Sequence, residues 1–122
     1  GVVLVDHGSR REAANALLAR FAETYRQVSR RDIVEVAHME LAEPTIEDAF
    51  RRCVQRGATR VVVSPYFLSP GRHVQEDIPQ LVAEASAQFP EVPCVIAQEI
   101  GVDPLVAQIM ENRIVAALDG LE

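Results

Sequence analysis

The sequence predicts an α/β fold in which a four-stranded parallel sheet is flanked by helices on both faces. Three observations predict it. Short apolar runs alternate with amphipathic stretches four times along the chain. The first strand candidate, Val2–Asp6, is apolar on both faces until Asp6, as a central parallel strand is. Helix-start signals follow the strand candidates, and β–α units in succession imply parallel strands joined by right-handed crossovers.

Val2–Asp6 reads as the first strand, apolar until Asp6. Ser9-Arg10-Arg11-Glu12 then has the capping-box pattern, with Ser at the cap and Glu three residues on. The helix expected there places Ala14, Leu17, Leu18, Phe21, Tyr25 and Val28 on one apolar face. Ile33–Met39 reads as the second strand. Pro44 suits the first turn of the second helix, where a missing N–H costs nothing. Ile46, Ala49, Phe50, Cys53 and Val54 supply its apolar face, and Gly57 its C-terminal stop. Arg60–Pro65 reads as the third strand.

Tyr66 to Asp77 has no clean period and contains Pro70-Gly71, so a long loop is expected. Long ordered loops in compact domains often carry function. The third helix is expected over Ile78–Phe89 with Pro79 in its first turn, and the fourth strand over Val92–Ala97. Asp103-Pro104 is a cap followed by a proline, which starts the last helix. Leu105, Val106, Ile109, Met110, Ile114, Ala117 and Leu118 are its expected buried face.

A chain of 122 residues, 48% apolar and 25% charged, can bury one core, so a single domain over 1–122 is expected. The net charge is −6 and all 12 basic residues are Arg, which argues against a nucleic-acid partner. No apolar run is long enough for a membrane span. Cys53 and Cys94 lie in apolar stretches without zinc spacing and read as reduced core thiols. A cytoplasmic setting follows, or the chloroplast stroma if a transit peptide has been removed before Gly1.

Ligands of open α/β sheets bind outside the carboxyl ends of the strands. All three histidines of the chain fall at that edge: His7 after the first strand, His38 at the end of the second, His73 in the long loop. Two readings stand for His7: a histidine hydrogen-bonded at a strand end, or a metal ligand or general base. For His73 the alternative is a solvated loop histidine. Glu40 is a solvated strand-end charge or a ligand. For His38 a structural or interface role is the better reading. His7, Glu40 and His73 together make a two-imidazole, one-carboxylate metal set. Ser9 reads as a helix cap. Arg10, Arg11 and Arg72 flank the two histidines; as a pair, Arg10 and Arg72 suit a polycarboxylate ligand. No GxSxG elbow, GxGxxG or Walker loop is present.

Val-Asp-His-Gly-Ser-Arg-Arg at 5–11, His-Met-Glu-Leu-Ala-Glu-Pro at 38–44 and Ser-Pro-Tyr-Phe-Leu-Ser-Pro-Gly-Arg-His at 64–73 resemble the short sirohydrochlorin chelatases, class II metal chelatases. Asp77-Ile78-Pro79, Gly101 and Asn112-Arg113-Ile114 continue the match in the same order, so it covers nearly the whole chain. The first three motifs are closest in wording to the sirohydrochlorin ferrochelatases of photosynthetic organisms. The resemblance implies a three-layer chelatase-like fold and a homodimer that sets two such units face to face. It implies insertion of a divalent metal, Fe²⁺ or Co²⁺, into sirohydrochlorin with release of two protons. The metal is then a substrate, and no tightly bound cofactor is expected. By the same resemblance His7 and His73 handle the metal with Glu40 as acidic partner. A substrate rich in carboxylates needs local arginines on an acidic protein, and Arg10 and Arg72, with Ser9 beside them, are assigned to it. Many members have a His where this chain has Asp103. A carrier of the tetrapyrrole or metal, and a metal-dependent hydrolase, are the competing readings. A hydrolase would need a tightly held ion, for which no motif is present.

Overall fold

Val2, Val3, Leu4 and Val5 are all buried, so the first strand sits in the middle of the sheet, as a run apolar on both faces requires. The computed structural model describes residues 1–69 and 71–121, and of His73 the backbone alone. The strands are β1 (Val2–Asp6), β2 (Val34–His38), β3 (Val61–Pro65) and β4 (Cys94–Ile96). The α-helices are α1 (Glu12–Ser29), α2 (Ile46–Gln55), α3 (Ile78–Ser86) and α4 (Pro104–Asp119). The sheet is parallel throughout, in the order β2-β1-β3-β4.

Alternation along β1 divides the core in two. Val3 and Val5 join Val61, Val63 and Ala37 under α2 and α3, where Phe50, Cys53, Ile78 and Val82 are buried. Val2, Leu4 and Val34 meet Leu18 and Ala22 of α1 on the other face. The chain steps one way from β1 to β2 and then back across to β3 and β4. Right-handed crossovers therefore put α1 on one face and α2 and α3 on the other. Phe50 contributes most by size, fully buried and stacked on Phe89 with ring centroids 5.7 Å apart. Burying such a side chain stabilises by about 1.5–3 kcal/mol.

Several expectations are corrected. The capping box at Ser9 does not form. Helix α1 begins at Glu12, its N-cap is Arg11, and no side chain caps it. The reason is local competition: the Ser9 hydroxyl accepts from Arg11 N–H at 3.0 Å. Asn15 reaches back to take both backbone groups of Ser9, at 2.9 and 2.7 Å. A capping box forms instead on α2, between Thr45 and Asp48. Pro44 lies before that cap and outside the first turn; its carbonyl accepts from His38 N–H at 2.8 Å. The stretch expected to be loop up to Asp77 ends in a π-helical turn, His73–Asp77, that runs directly into α3. Pro70 lies outside the described residues.

The largest correction concerns α4. Asp103 does cap it, accepting from Leu105 N–H at 2.8 Å, with Pro104 at the first position. Yet none of its residues is buried, and Leu105, Ile109, Met110, Ile114 and Leu118 are exposed. On α1, Leu17 and Val28 of the expected face are exposed too. The α1 face of the sheet is covered over β1 and β2 only. Over β3 and β4 it stays open as a groove of about 390 Å³ lined by Tyr25, Val62, Pro93 and Val95, with Arg31 and Arg60 beside it. The last helix is helical as its periodicity predicts, but among the described residues nothing buries its apolar face.

Candidate functional site

The site is built by the carboxyl ends of β1 and β2. Asp6 and His38 are the last pair in register between these strands. His38 is buried, and its Nδ1–H donates to Asp6 Oδ1 at 2.5 Å. Hydrogen bonding continues past the strands: Met39 N–H donates to the Asp6 carbonyl at 2.9 Å, and Glu40 N–H to the His7 carbonyl at 3.0 Å. Leu41 then takes a left-handed φ of 69° and turns the chain away.

This backbone brings two expected residues together. His7 Nε2 lies 2.9 Å from Glu40 Oε1, with the two side chains 40% and 52% exposed, open enough to meet a ligand. His7 Nδ1 lies 3.1 Å from the Gly8 carbonyl, which can only accept, so the tautomer with its proton on Nδ1 donates there. In the neutral ring Nε2 then presents a lone pair toward a carboxylate oxygen. Two lone pairs facing each other attract a cation between or beside them, either a proton or a metal ion.

Gly8 is what lets the two loops approach. Its φ is 94°, and a Cβ there would fall on the Glu40 carbonyl oxygen. Only glycine combines that conformation with that closeness.

The other expected residues are less converged. Ser9 is partly buried and holds its own loop through Arg11 and Asn15. Arg10 is exposed. Arg72 is exposed and pairs at 3.7 Å with Glu76, one turn on. The backbone of His73 opens the π-helical turn after β3; its side chain lies outside the described residues. Among the described residues no group of three or more His, Cys, Asp and Glu forms a metal cage.

Two recesses adjoin this edge. A polar one of about 320 Å³ is lined by Met39, Glu40, Asp77, Gln80 and Leu81. An apolar one of about 380 Å³ lies among Phe21, Tyr66, Phe67, Leu68 and Ile100, with Val106 and Ile109 of α4 at its side. Sequence reasoning missed Asp6, although a carboxylate closing an apolar strand was a visible signal. It also missed the aromatic wall at Tyr66, whose ring lies 4.6 Å from that of Phe21. No helix is long and apolar enough to cross a membrane among the described residues.

Comparison with known proteins shows the family and the fold. The family model CbiX matches residues 1–117. The chain is 47% identical over its whole length to the chloroplastic sirohydrochlorin ferrochelatase of Arabidopsis thaliana, of which it covers 54%. It is 31% identical to the sirohydrochlorin cobaltochelatase of Methanopyrus kandleri, with 96% of each chain covered. Its fold matches the sirohydrochlorin chelatase SirB of Bacillus subtilis subspecies spizizenii in complex with cobalt, with a TM-score of 0.87 and 33% identity over 94% of this chain and 49% of that one. The chain spans about half the length of the curated ferrochelatases it matches. The three-layer α/β architecture expected from the sequence is the architecture of these relatives, and the chain belongs to the CbiX family.

Proposed function

We propose that this chain, as a single domain over 1–122, is a sirohydrochlorin ferrochelatase that inserts Fe²⁺ into the macrocycle to make sirohaem. The observation that carries the reading is the His7–Glu40 pair, held 2.9 Å apart at the ligand-binding edge of the sheet. Two ligands bound about 2.1 Å from an ion at a right angle stand about 3.0 Å apart, so the pair fits one edge of an octahedral ion. A tetrahedral ion would need about 3.4 Å. A site that leaves coordination positions open can give its metal up to a tetrapyrrole, where a closed four-ligand cage would retain it.

The exchange balances without electron transfer. The metal leaves His7 and Glu40, two pyrrole N–H bonds break, and two protons leave the macrocycle as the metal–nitrogen bonds form. His7 Nε2, released from the metal, is positioned to take one of those protons beside the Glu40 carboxylate, and the other passes to solvent. We assign His73 to the same work, and Ser9, Arg10 and Arg72 to the substrate's carboxylates. The apolar recess at Tyr66 and Ile100 offers a surface for the ring itself. Iron is favoured by the 47% identity to a ferrochelatase; cobalt is the alternative, favoured by the cobaltochelatase relative and the cobalt-bound neighbour.

We further propose a homodimer. Helix α4 carries an exposed apolar face, and the groove over β3 and β4 is an apolar surface of matching kind. Arg31 and Arg60, at the amino ends of β2 and β3, would meet the negative end of a helix lying antiparallel to the strands. A second copy supplies both surfaces, and two-fold dimers are the commonest assembly. The working compartment is aqueous, the cytoplasm or the chloroplast stroma.

The test is anaerobic and spectrophotometric: sirohydrochlorin with Fe²⁺ or Co²⁺, comparing the native chain with His7→Ala, His73→Ala and Glu40→Gln. Native turnover above buffer and a loss of about 10²-fold or more in the variants is expected. Equal rates for native protein, variants and buffer would sink the chelatase reading and leave a carrier. Arg72→Glu should raise KM for sirohydrochlorin; an unchanged KM removes Arg72 from the site.

A further inference from the structure

The stripe of residues that β1 and β2 present to α1 is apolar until its last rung. Val2 pairs with Val34 and Leu4 with Val36; the next pair on that face is Asp6 with His38. An apolar pair there would continue the packing of Leu18 and Ala22. The chain instead buries an imidazole, the sole buried polar side chain among the described residues, and gives it a carboxylate at 2.5 Å. Buried polar pairs rarely surpass apolar packing in stability, so this one calls for another reason to be present.

Its position supplies the reason. Asp6 is joined to His7 by one peptide bond, and His38 reaches Glu40 across Met39. The two hydrogen bonds beyond the pair, Met39 N–H to Asp6 and Glu40 N–H to His7, are what align the ladder for the 2.9 Å contact. Immediately afterwards the chain leaves regular structure at Leu41. The Asp6–His38 bond is therefore the last side-chain tie between the two strands before the site. Unlike apolar packing, it is directional and fixes one lateral register of the two strand ends.

We propose that Asp6 and His38 are positioning residues: a clamp between β1 and β2 that sets the separation and orientation of His7 and Glu40 without touching substrate. The proposal rests on the metal-handling reading of that pair. Its consequence is selective. Loosening the clamp changes how the protein holds the metal and leaves recognition of the macrocycle unchanged, because Ser9 is held separately by Asn15 and Arg11 and Arg72 stands on another loop. Outer partners of metal ligands typically alter metal affinity about 10–100-fold.

The experiment uses Co²⁺ alone as a spectroscopic probe, followed by steady-state assays with metal and sirohydrochlorin varied separately. Three variants are compared with the native protein: Asp6→Ala, Asp6→Asn, and the double variant Asp6→Leu with His38→Val, which continues the apolar stripe and keeps the fold. Circular dichroism and thermal melting confirm folding. Asp6→Ala and the double variant should weaken Co²⁺ binding about 10-fold, shift its visible absorption, and raise KM for the metal while KM for sirohydrochlorin stays within about twofold. Asp6→Asn, which keeps an acceptor for the imidazole N–H, should recover most of the native spectrum and affinity. A folded double variant with native Co²⁺ affinity and spectrum overturns the proposal. So does a rise of both KM values together, or the absence of Co²⁺ binding by the native protein. Native Co²⁺ binding without turnover would defeat the chelatase reading alone, and the spectra would still judge the clamp.

Discussion

The α-carbon of Gly8 faces the carbonyl oxygen of Glu40 so closely that no side chain fits between them, and its φ of 94° lies where L-residues are strained. The loops that carry His7 and Glu40 are thus in backbone contact, and the glycine is part of the site's construction. Gly8→Ala should cost about 1–2 kcal/mol for the conformation alone, and more for displacing Glu40. A melting temperature lowered by several degrees, together with a loss of turnover larger than the fraction unfolded, is the expected result. Native turnover in the variant would show that the loops can separate without consequence.

The capping box of α2 should matter measurably. Thr45 Oγ1 accepts from Asp48 N–H at 3.1 Å, and Asp48 Oδ2 accepts from Thr45 N–H at 3.0 Å. Thr45→Ala should lower stability by about 1 kcal/mol, read from urea unfolding. The hydrogen bond from Thr45 N–H holds the Asp48 carboxyl below its ordinary 3.8, outweighing the opposing effect of burial. A depressed folded value means the contribution is fully present above pH of about 4 and is lost as pH falls through the folded value. Asp48→Asn should therefore flatten that part of the acid-unfolding curve, and a curve identical to the native one would contradict it.

Cys53 should be chemically quiet. Its side chain is buried against β1, and burial pushes the thiol up from 9.0 to about 11. Burial raises the half-buried Cys94 as well. Iodoacetamide at pH 8 should label Cys53 in the native protein far more slowly than in urea, as mass spectrometry would record. The neutral thiol is the form the fold accepts. Its contribution is intact below the unfolded value near 9 and is lost as pH rises toward 11. Fast labelling of the folded chain would mean that the α2 face opens readily.

Helix α4 offers the simplest test of assembly. Ile109 is 54% exposed and Met110 is 62% exposed, on a helix with no buried residue. Ile109→Glu and Met110→Glu should convert a dimer to a monomer by light scattering, with little change in far-ultraviolet circular dichroism. A dimeric mass unchanged in both variants would place the contact elsewhere, and a monomeric native mass would overturn the proposed dimer.

Much of this architecture was legible from local pattern. Val2–Asp6 reads as a buried central strand because four consecutive apolar residues leave no polar face, and it is one. Asp103-Pro104 starts α4, and Cys53 completes a helical face that is buried. These signals lie within a few residues of one another, where the chain's own geometry carries them. Local competition was harder to read. Ser9 had the right spacing for a cap, but Asn15, six residues away, engaged its backbone first.

The sequence by itself determined that the strands are parallel and the first of them central and buried, that three histidines lie at one edge, and which motifs of the family they belong to. Tertiary structure decided which of those residues meet. Asp6 and His38 are 32 positions apart, and their bond exists because β1 and β2 pair in one register; a shift of one residue would turn every side chain to the opposite face. The same register sets His7 beside Glu40, and the same topology leaves the apolar face of α4 unburied among the described residues. Periodicity can say that a helix has an apolar face, but what covers that face depends on the rest of the fold and on any second copy beside it.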